Sequence, residues 1–435
     1  MSIITGFTIK PACLSCAEII EKNKRKKLWA GRKPTAFLFL GRGGDRTAFL
    51  ASVKNLRKQK ADRMQQTQDL RVGGYKPLVA PKALKKELPV NEASTKTVVF
   101  GRKCIDRILE NVDRRLLVIV GPCSIHDEMA AFEYAERLNE LSRKVEQTMF
   151  IVMRVYFEKP RTSVGWKGLI NDPNLDGTCD IQEGLRKARR ILRCITEMGM
   201  PAGTELLETI TPQYVDDLIS WAAIGARTTE SQIHREMSSG LSMPVGFKNA
   251  TDGNLSTAIN AMLAARAPQS FLGIDQDGQT CIVQTKGNSS GHVVLRGGSR
   301  PNYDALSIEE AHLDLVSKNL PAKIMVDCSH ANSKKKFQGQ SVVWRNILHQ
   351  FINGNDAIMG MMLESNLHEG NQKFSGSHAD LKYGVSITDE CISWEATEQL
   401  LLDAHEKLAR YYFKHGGFGG QSTTRIIDKI QEPLW

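Results

Sequence analysis

Eight residues recur at one kind of position: Cys123, Arg154, Glu205, Arg227, Lys248, Arg296, His330 and Glu364 each end or follow a short apolar, β-branched run. A run destined for a core has no reason to finish repeatedly on a charge or a metal-ligating group. One strand-end arginine is usually half of a structural ion pair, but a whole rim of such groups must be neutralised internally or by ligands. With Lys159 and Arg161, the cations Arg154, Arg227, Lys248 and Arg296 suit more than one phosphate or carboxylate. Arginine supplies a planar fork for them and lysine a mobile point charge. Cys123, His330, Glu364 and the later acid Asp389 mix sulfur, nitrogen and oxygen as divalent transition-metal sites do. They form no local motif, and a buried thiol, a core histidine and two helix-capping acids is an equal reading. Cys123-x-x-His126 as half of a site is a further alternative.

Eight strands would have to carry these residues: 116–120, 149–157, 200–207, 223–230, 244–249, 292–298, 322–330 and 357–365, alternating with longer helical patterns. Alternation of that kind predicts an α/β protein with a parallel sheet, and the strand count and span predict a (β/α)8 TIM barrel, whose active sites lie at the carboxyl ends of the strands. FLGI (271–274) and CIVQT (281–285), around an Asp-Gly turn, predict a β-hairpin inserted between strands five and six. The expected divisions are a basic extension (1–66), an N-terminal regulatory or oligomerisation extension (67–115), the catalytic barrel (116–413) and a C-terminal tail (414–435), with a helix over 395–413.

Hydrophobic content of 41% and charged content of 24% exclude a disordered chain, and no apolar run approaches the roughly 18 residues of a membrane span. The net charge of +10 invites a nucleic-acid reading. However, residues 1–63 hold 15 Lys and Arg against 4 Asp and Glu, and the remainder is nearly neutral. The basicity therefore belongs to one segment and not to a binding face. That segment, with EKNKRKK at 21–27 and TAFLFL at 35–40, lacks the layout of a signal peptide. It weakly resembles a transit peptide, and it reads best as disorder or as sequence ahead of a true start at Met64. Nine cysteines, an odd number without framework spacing, fit a reducing cytoplasm. Cys13-x-x-Cys16 has no second pair at zinc-finger spacing and reads as two stray thiols.

Longer stretches carry a family resemblance: LLVIVGPCSIHD, MRVYFEKPRTSVGWKGLINDP, IGARTTESQIHRE, PVGFKNATDG, GHVVLRGG, VDCSHANS, ESNLHEGNQ and YGVSITDECISWE, from about residue 69 to 409. The chain resembles the class I 3-deoxy-D-arabino-heptulosonate 7-phosphate (DAHP) synthases, and among them the tyrosine-sensitive forms. The resemblance implies condensation of phosphoenolpyruvate with erythrose 4-phosphate, release of inorganic phosphate, and one divalent metal ion (Mn, Fe, Co or Zn). It implies metal ligands Cys123, His330, Glu364 and Asp389. A phosphoenolpyruvate site would comprise Arg154, Lys159, Arg227, Lys248 and Arg296. Lys159, Pro160, Arg161 and Thr162 would meet erythrose 4-phosphate, with Lys159 as proton donor and Glu205 beside the attacking water. Cys391 would lie close enough to Cys123 for a disulfide in metal-free protein.

The resemblance also implies feedback inhibition by an aromatic amino acid, at a site matching Asp69, Pro212, Gln213, Ser242, Phe271 and Gly273. Glycine at 273 points to tyrosine, because the missing side chain leaves room for its hydroxyl. A homo-oligomer, dimer or tetramer, is expected, with neither nucleic acid nor membrane as partner. The sequence departs from the family in the segment before residue 67, in one extra residue between Glu364 and Asp389, and in SFLGIDQ of the hairpin. A barrel synthase acting on another aldose phosphate, such as arabinose 5-phosphate, is the enzyme rival, against which KPRTS and VGWKGL argue. A nucleic-acid-binding protein using the basic N-terminus is the rival from another class.

Overall fold

The computed structural model describes residues 67–161, 165–376 and 380–414. Thr162, the basic extension at 1–66 and nearly all of the expected tail lie outside the described residues. Two compact units divide the chain between Lys76 and Pro77, so residues 67–76 belong to a different unit from the rest of the expected 67–115 extension.

The larger unit is built on eight parallel strands: β1 (Leu116–Gly121), β2 (Met149–Arg154), β3 (Ala202–Glu205), β4 (Trp221–Ile224), β5 (Val245–Lys248), β8 (Gly291–Leu295), β9 (Ile324–Asp327) and β10 (Ile358–Glu364). They pair in that order, and β10 returns to β1, which closes the barrel. The remaining strands, β6 (Ser270–Ile274) and β7 (Thr280–Gln284), form the antiparallel hairpin, with Gly273 opposite Cys281. The insertion lies between the fifth and sixth barrel strands, as the sequence predicts.

Strand periodicity sorts the side chains into two cores. Leu117 and Ile119 of β1, Phe150 and Val152 of β2, Trp221, Val294, Met325 and Met362 form one cluster inside the barrel. Leu116, Val118, Val120, Ile151 and Met153 point the other way and pack with the surrounding helices. The helix Glu92–Leu109, which precedes β1, inserts Cys104, Ile105 and Ile108 into the inner cluster. Each such aliphatic side chain contributes about 1.5–3 kcal/mol by leaving water.

Local signals set the outer helices. Asp127 accepts from Met129 N and Ala130 N at the start of Glu128–Val145, whose last turn carries Arg143 and Lys144. Asp180 accepts from Glu183 N at the start of Ile181–Glu197, which buries Leu185, Ala188, Ile191, Leu192 and Ile195 along one face. Caps of this kind stabilise by about 1 kcal/mol. The final helix runs Trp394–Lys414, one residue longer at each end than expected.

The fourth strand lies earlier than the sequence predicts. It covers Trp221–Ile224, and residues 226–230 form a turn. Thr228 N and Thr229 N both donate to Gly225 O, at 3.0 and 2.9 Å, and the Thr229 hydroxyl donates to the same carbonyl. These threonines favour a strand by shape, but their hydroxyls and amides close a turn.

Candidate active site

All eight strands run the same way, so their carboxyl ends meet on one rim. Arg154, Glu205, Lys248 and Glu364 are the last residues of β2, β3, β5 and β10. Arg296 follows β8 directly, His330 lies three residues beyond β9, Cys123 two beyond β1, and Arg227 sits in the turn after β4. Cys123, Arg154, Lys159, Glu205, Lys248, Arg296 and Glu364 are buried, His330 and Pro160 are half-buried, and Arg161, Arg227 and Asp389 are exposed.

Cys123, Glu364 and Asp389 each offer one ligand atom, and these atoms lie within 4.8 Å of one another. His330 borders the group, its Nε2 3.9 Å from Glu364 Oε1. Several bonds hold the cluster. Gln340 clamps Glu364 by accepting from its N–H at 2.8 Å and donating to its carbonyl at 3.0 Å. The Ser124 and Thr388 hydroxyls, 2.8 Å apart, tie the loop of Cys123 to that of Asp389. Burial, with Glu364 adding to it, pushes the Cys123 thiol up to about 11.

The cations surround this cluster. Arg154 donates from Nη2 to Glu364 Oε1 at 3.0 Å, both side chains being 1% exposed. Its guanidinium lies 4.0 Å from the Tyr156 ring centre. Its Nε and Nη1 are buried and have no acceptor among the described residues. Lys159 Nζ donates to Cys123 O and approaches Cys123 Sγ, both at 3.1 Å. Burial opposes its charge, but Cys123, Glu364, Glu205 and Asp389 together raise its pKa. Arg296 donates to Gly297 O, and burial lowers its pKa.

Arg154 and Lys248 have carboxylate partners. Among the described residues, Lys159 and Arg296 have none within 4.0 Å. Buried cations without a partner are costly unless a ligand supplies the anion. The rim is therefore built for anions beside a donor set of sulfur, oxygen and nitrogen.

A profile described as the DAHP synthetase I family matches residues 88–402. The chain belongs to the DAHP synthetase I family. It is an enzyme of the aldol-type condensing class, a DAHP synthase. The phospho-2-dehydro-3-deoxyheptonate aldolases of Escherichia coli strain K12 are similar to it. The Tyr-sensitive form is 50% identical over 80% of this chain and 95% of its own length. The Phe-sensitive form is 53% identical over 77% and 96%, and the Trp-sensitive form 51% identical over 80% and 98%. A solved phospho-2-dehydro-3-deoxyheptonate aldolase from Francisella tularensis SCHU S4 superposes with a TM-score of 0.76, at 45% identity, over 78% of this chain and 98% of that one.

Several residues that complete this DAHP synthase rim are absent from the sequence reading. Asp327, wholly buried at the end of β9, binds Lys248 Nζ at 2.8 Å and His330 Nδ1 at 2.9 Å. Its pKa lies well below the usual carboxylate range: burial opposes this, but His330 and Lys248 outweigh burial. The signal was available, since Asp327 ends an apolar strand just as Glu205 and Glu364 do. Tyr156, whose buried hydroxyl has no partner among the described residues, and Glu158 lie within the quoted MRVYFEKPRT stretch. Burial raises Glu158 to about 8, although Leu207 N, Glu208 N and the Thr211 hydroxyl all donate to it.

The expected effector residues fall in two places. Pro212 and Gln213 open the short helix Pro212–Val215, and Gln213 Oε1 accepts from Gln276 in the hairpin turn at 2.6 Å. Phe271 and Gly273 lie on β6. The loop carrying Ser242 is held beside the hairpin base, where Asn288 donates to Leu241 O and Met243 O. Asp69 belongs to the smaller unit, where it accepts from the Tyr75 hydroxyl at 2.6 Å. Cys123 and Cys391 are both buried free thiols, as are Cys104 and Cys328.

Among the described residues, no helix is long and apolar enough to cross a membrane.

Proposed function

We propose that this rim joins phosphoenolpyruvate to erythrose 4-phosphate and releases inorganic phosphate. The observation that carries the reading is the pairing of unsatisfied buried cations with the Cys123, Glu364 and Asp389 cluster. The donor chemistry fits a metal: one soft sulfur and two carboxylates lie together with an imidazole at their edge. Cys123, His330, Glu364 and Asp389 would hold a single divalent ion, manganese, iron, cobalt or zinc. When bound, such an ion acts as a Lewis acid toward an aldehyde oxygen.

The residues supply the rest. Arg154, Lys159, Arg227, Lys248 and Arg296 bind the phosphate and carboxylate of phosphoenolpyruvate, and the unspent nitrogens of Arg154 provide donors for one of them. Lys159, Pro160, Arg161 and Thr162 hold erythrose 4-phosphate. C3 of the enol attacks the aldehyde carbon, and Lys159, protonated at neutral pH, gives its proton to the aldehyde oxygen. Water, oriented by Glu205, adds at C2. The resulting phosphohemiketal expels phosphate while the surrounding cations stabilise its charge.

The regulatory reading is inhibition by tyrosine at Asp69, Pro212, Gln213, Ser242, Phe271 and Gly273. We also propose a cytoplasmic homodimer or homotetramer, the odd number of cysteines without framework spacing favouring a reducing compartment. The test is an assay of phosphate release with each substrate alone, with both, and with both plus chelator. Release only from the complete metal-containing mixture is expected. Equal release without the aldose phosphate, or full activity of Cys123→Ala, overturns the reading. Stronger inhibition by phenylalanine than by tyrosine rejects the choice of effector.

A further inference from the structure

We infer that Asp327 is a positioning residue that joins the anion-binding and metal-binding halves of the rim, an inference that rests on the reading just proposed. One oxygen, Oδ2, takes both Lys248 Nζ at 2.8 Å and His330 Nδ1 at 2.9 Å. The other, Oδ1, accepts from Ser329 N at 3.0 Å and from the Ser329 hydroxyl at 2.6 Å. Asp327 itself is completely buried, so four donors from three residues converge on a carboxylate with no access to water.

This geometry decides the tautomer of His330. Nδ1 faces Asp327 Oδ2 and also lies 2.7 Å from the Ser329 oxygen. The Ser329 proton is already given to Asp327, so both neighbours of Nδ1 are acceptors and Nδ1 must carry the hydrogen. The lone pair of the neutral ring is then on Nε2, the nitrogen 3.9 Å from Glu364 Oε1. Ring nitrogens that bind metals are commonly fixed through a carboxylate on the other nitrogen, and loss of that partner weakens metal binding about 10- to 100-fold.

The backbone supplies a second observation. His330 has φ of +53°, a left-handed conformation unfavourable for a residue with a side chain. Asp327 and Ser329 grip its ring, and Lys335 N donates to its carbonyl. A strained turn held from both sides delivers the ring to the metal cluster, and the same carboxylate places Lys248 where phosphoenolpyruvate would bind.

The experiment compares the full chain with Asp327→Asn, Ser329→Ala and His330→Ala. Cobalt(II) affinity is measured by competition with a chromophoric chelator, and KM for phosphoenolpyruvate is measured at saturating metal. Asparagine cannot satisfy both donor sets, because turning its oxygen to Lys248 and His330 sets its NH2 against the Ser329 amide. Asp327→Asn is expected to weaken cobalt binding about 10- to 100-fold and to raise KM. Ser329→Ala should weaken cobalt binding and leave KM unchanged, because the Lys248 contact persists. A folded Asp327→Asn that shifts only thermal stability, or that shifts metal affinity without KM, overturns the inference. Should that variant fail to fold, unchanged cobalt affinity in Ser329→Ala overturns it instead. Wild-type cobalt binding by His330→Ala would sink the metal reading itself.

Discussion

Lys159 is buried against Cys123 without a carboxylate partner within ion-pair distance among the described residues, an arrangement that leaves its charge available to a ligand. Replacing it with Met should lower kcat/KM by about 10²- to 10⁴-fold, the usual range for loss of a proton donor. The thermal midpoint should fall, because burial opposes the Lys159 charge but Cys123, Glu364, Glu205 and Asp389 outweigh it, and the variant leaves those groups without their cation. Steady-state kinetics and a melting curve on one sample check both parts. Glu158 behaves differently. Burial disfavours its carboxylate and raises the folded pKa to about 8, above the ordinary 4.5. The folded protein therefore holds that proton more tightly than the unfolded chain does. This contribution is fully present below about pH 4.5 and is lost as pH rises through 8. Glu158→Gln should flatten the fall in melting temperature between pH 5 and pH 8.5, and an unchanged pH profile would refute the assignment.

Strands and loops decide where these groups point. A Cβ added at Gly225, just after β4, would lie 2.1 Å from Glu205 Oε1 at the end of β3. Gly225→Ala should therefore displace Glu205 and lower kcat by at least about tenfold, roughly 1.4 kcal/mol, with little change in metal affinity. A kcat equal to wild type would show that Glu205 does not serve the water step. In the hairpin, a Cβ at Gly273 would crowd Val283 Cγ2 at 2.7 Å, so serine there must displace the Val283 side chain. Gly273→Ser is expected to move inhibition from tyrosine toward phenylalanine, read from the two inhibition curves. Little of this was legible from strand patterns. The threonines that displaced β4 from its expected position, and the side chain that fills the space beside Gly225, are matters of who packs against whom.

The closed barrel turns eight separate strand ends into a single rim, and closure explains why residues as distant as Cys123 and Asp389 share one cluster. The segment before residue 64 is strongly basic, whereas the rest of the chain is nearly neutral. A chain beginning at Met64 is expected to keep kcat/KM within about threefold of the full chain, a change under roughly 1 kcal/mol. A larger loss in the same assay would make the segment part of the working enzyme.

Composition and period were enough to predict a (β/α)8 barrel with a hairpin insertion, because alternating apolar runs leave a chain few other ways to bury them. The residue types at the strand ends, read together with the family motifs, named the rim groups. The sequence could not supply Asp327 as the link between Lys248 and His330, since that link depends on which atoms converge across β5 and β9. Nor could it reveal that Arg154 is paired with Glu364 while Lys159 and Arg296 lack a carboxylate at ion-pair distance among the described residues. Such differences arise from distance and burial, which sequence separation does not encode and which only closure of the barrel brings about.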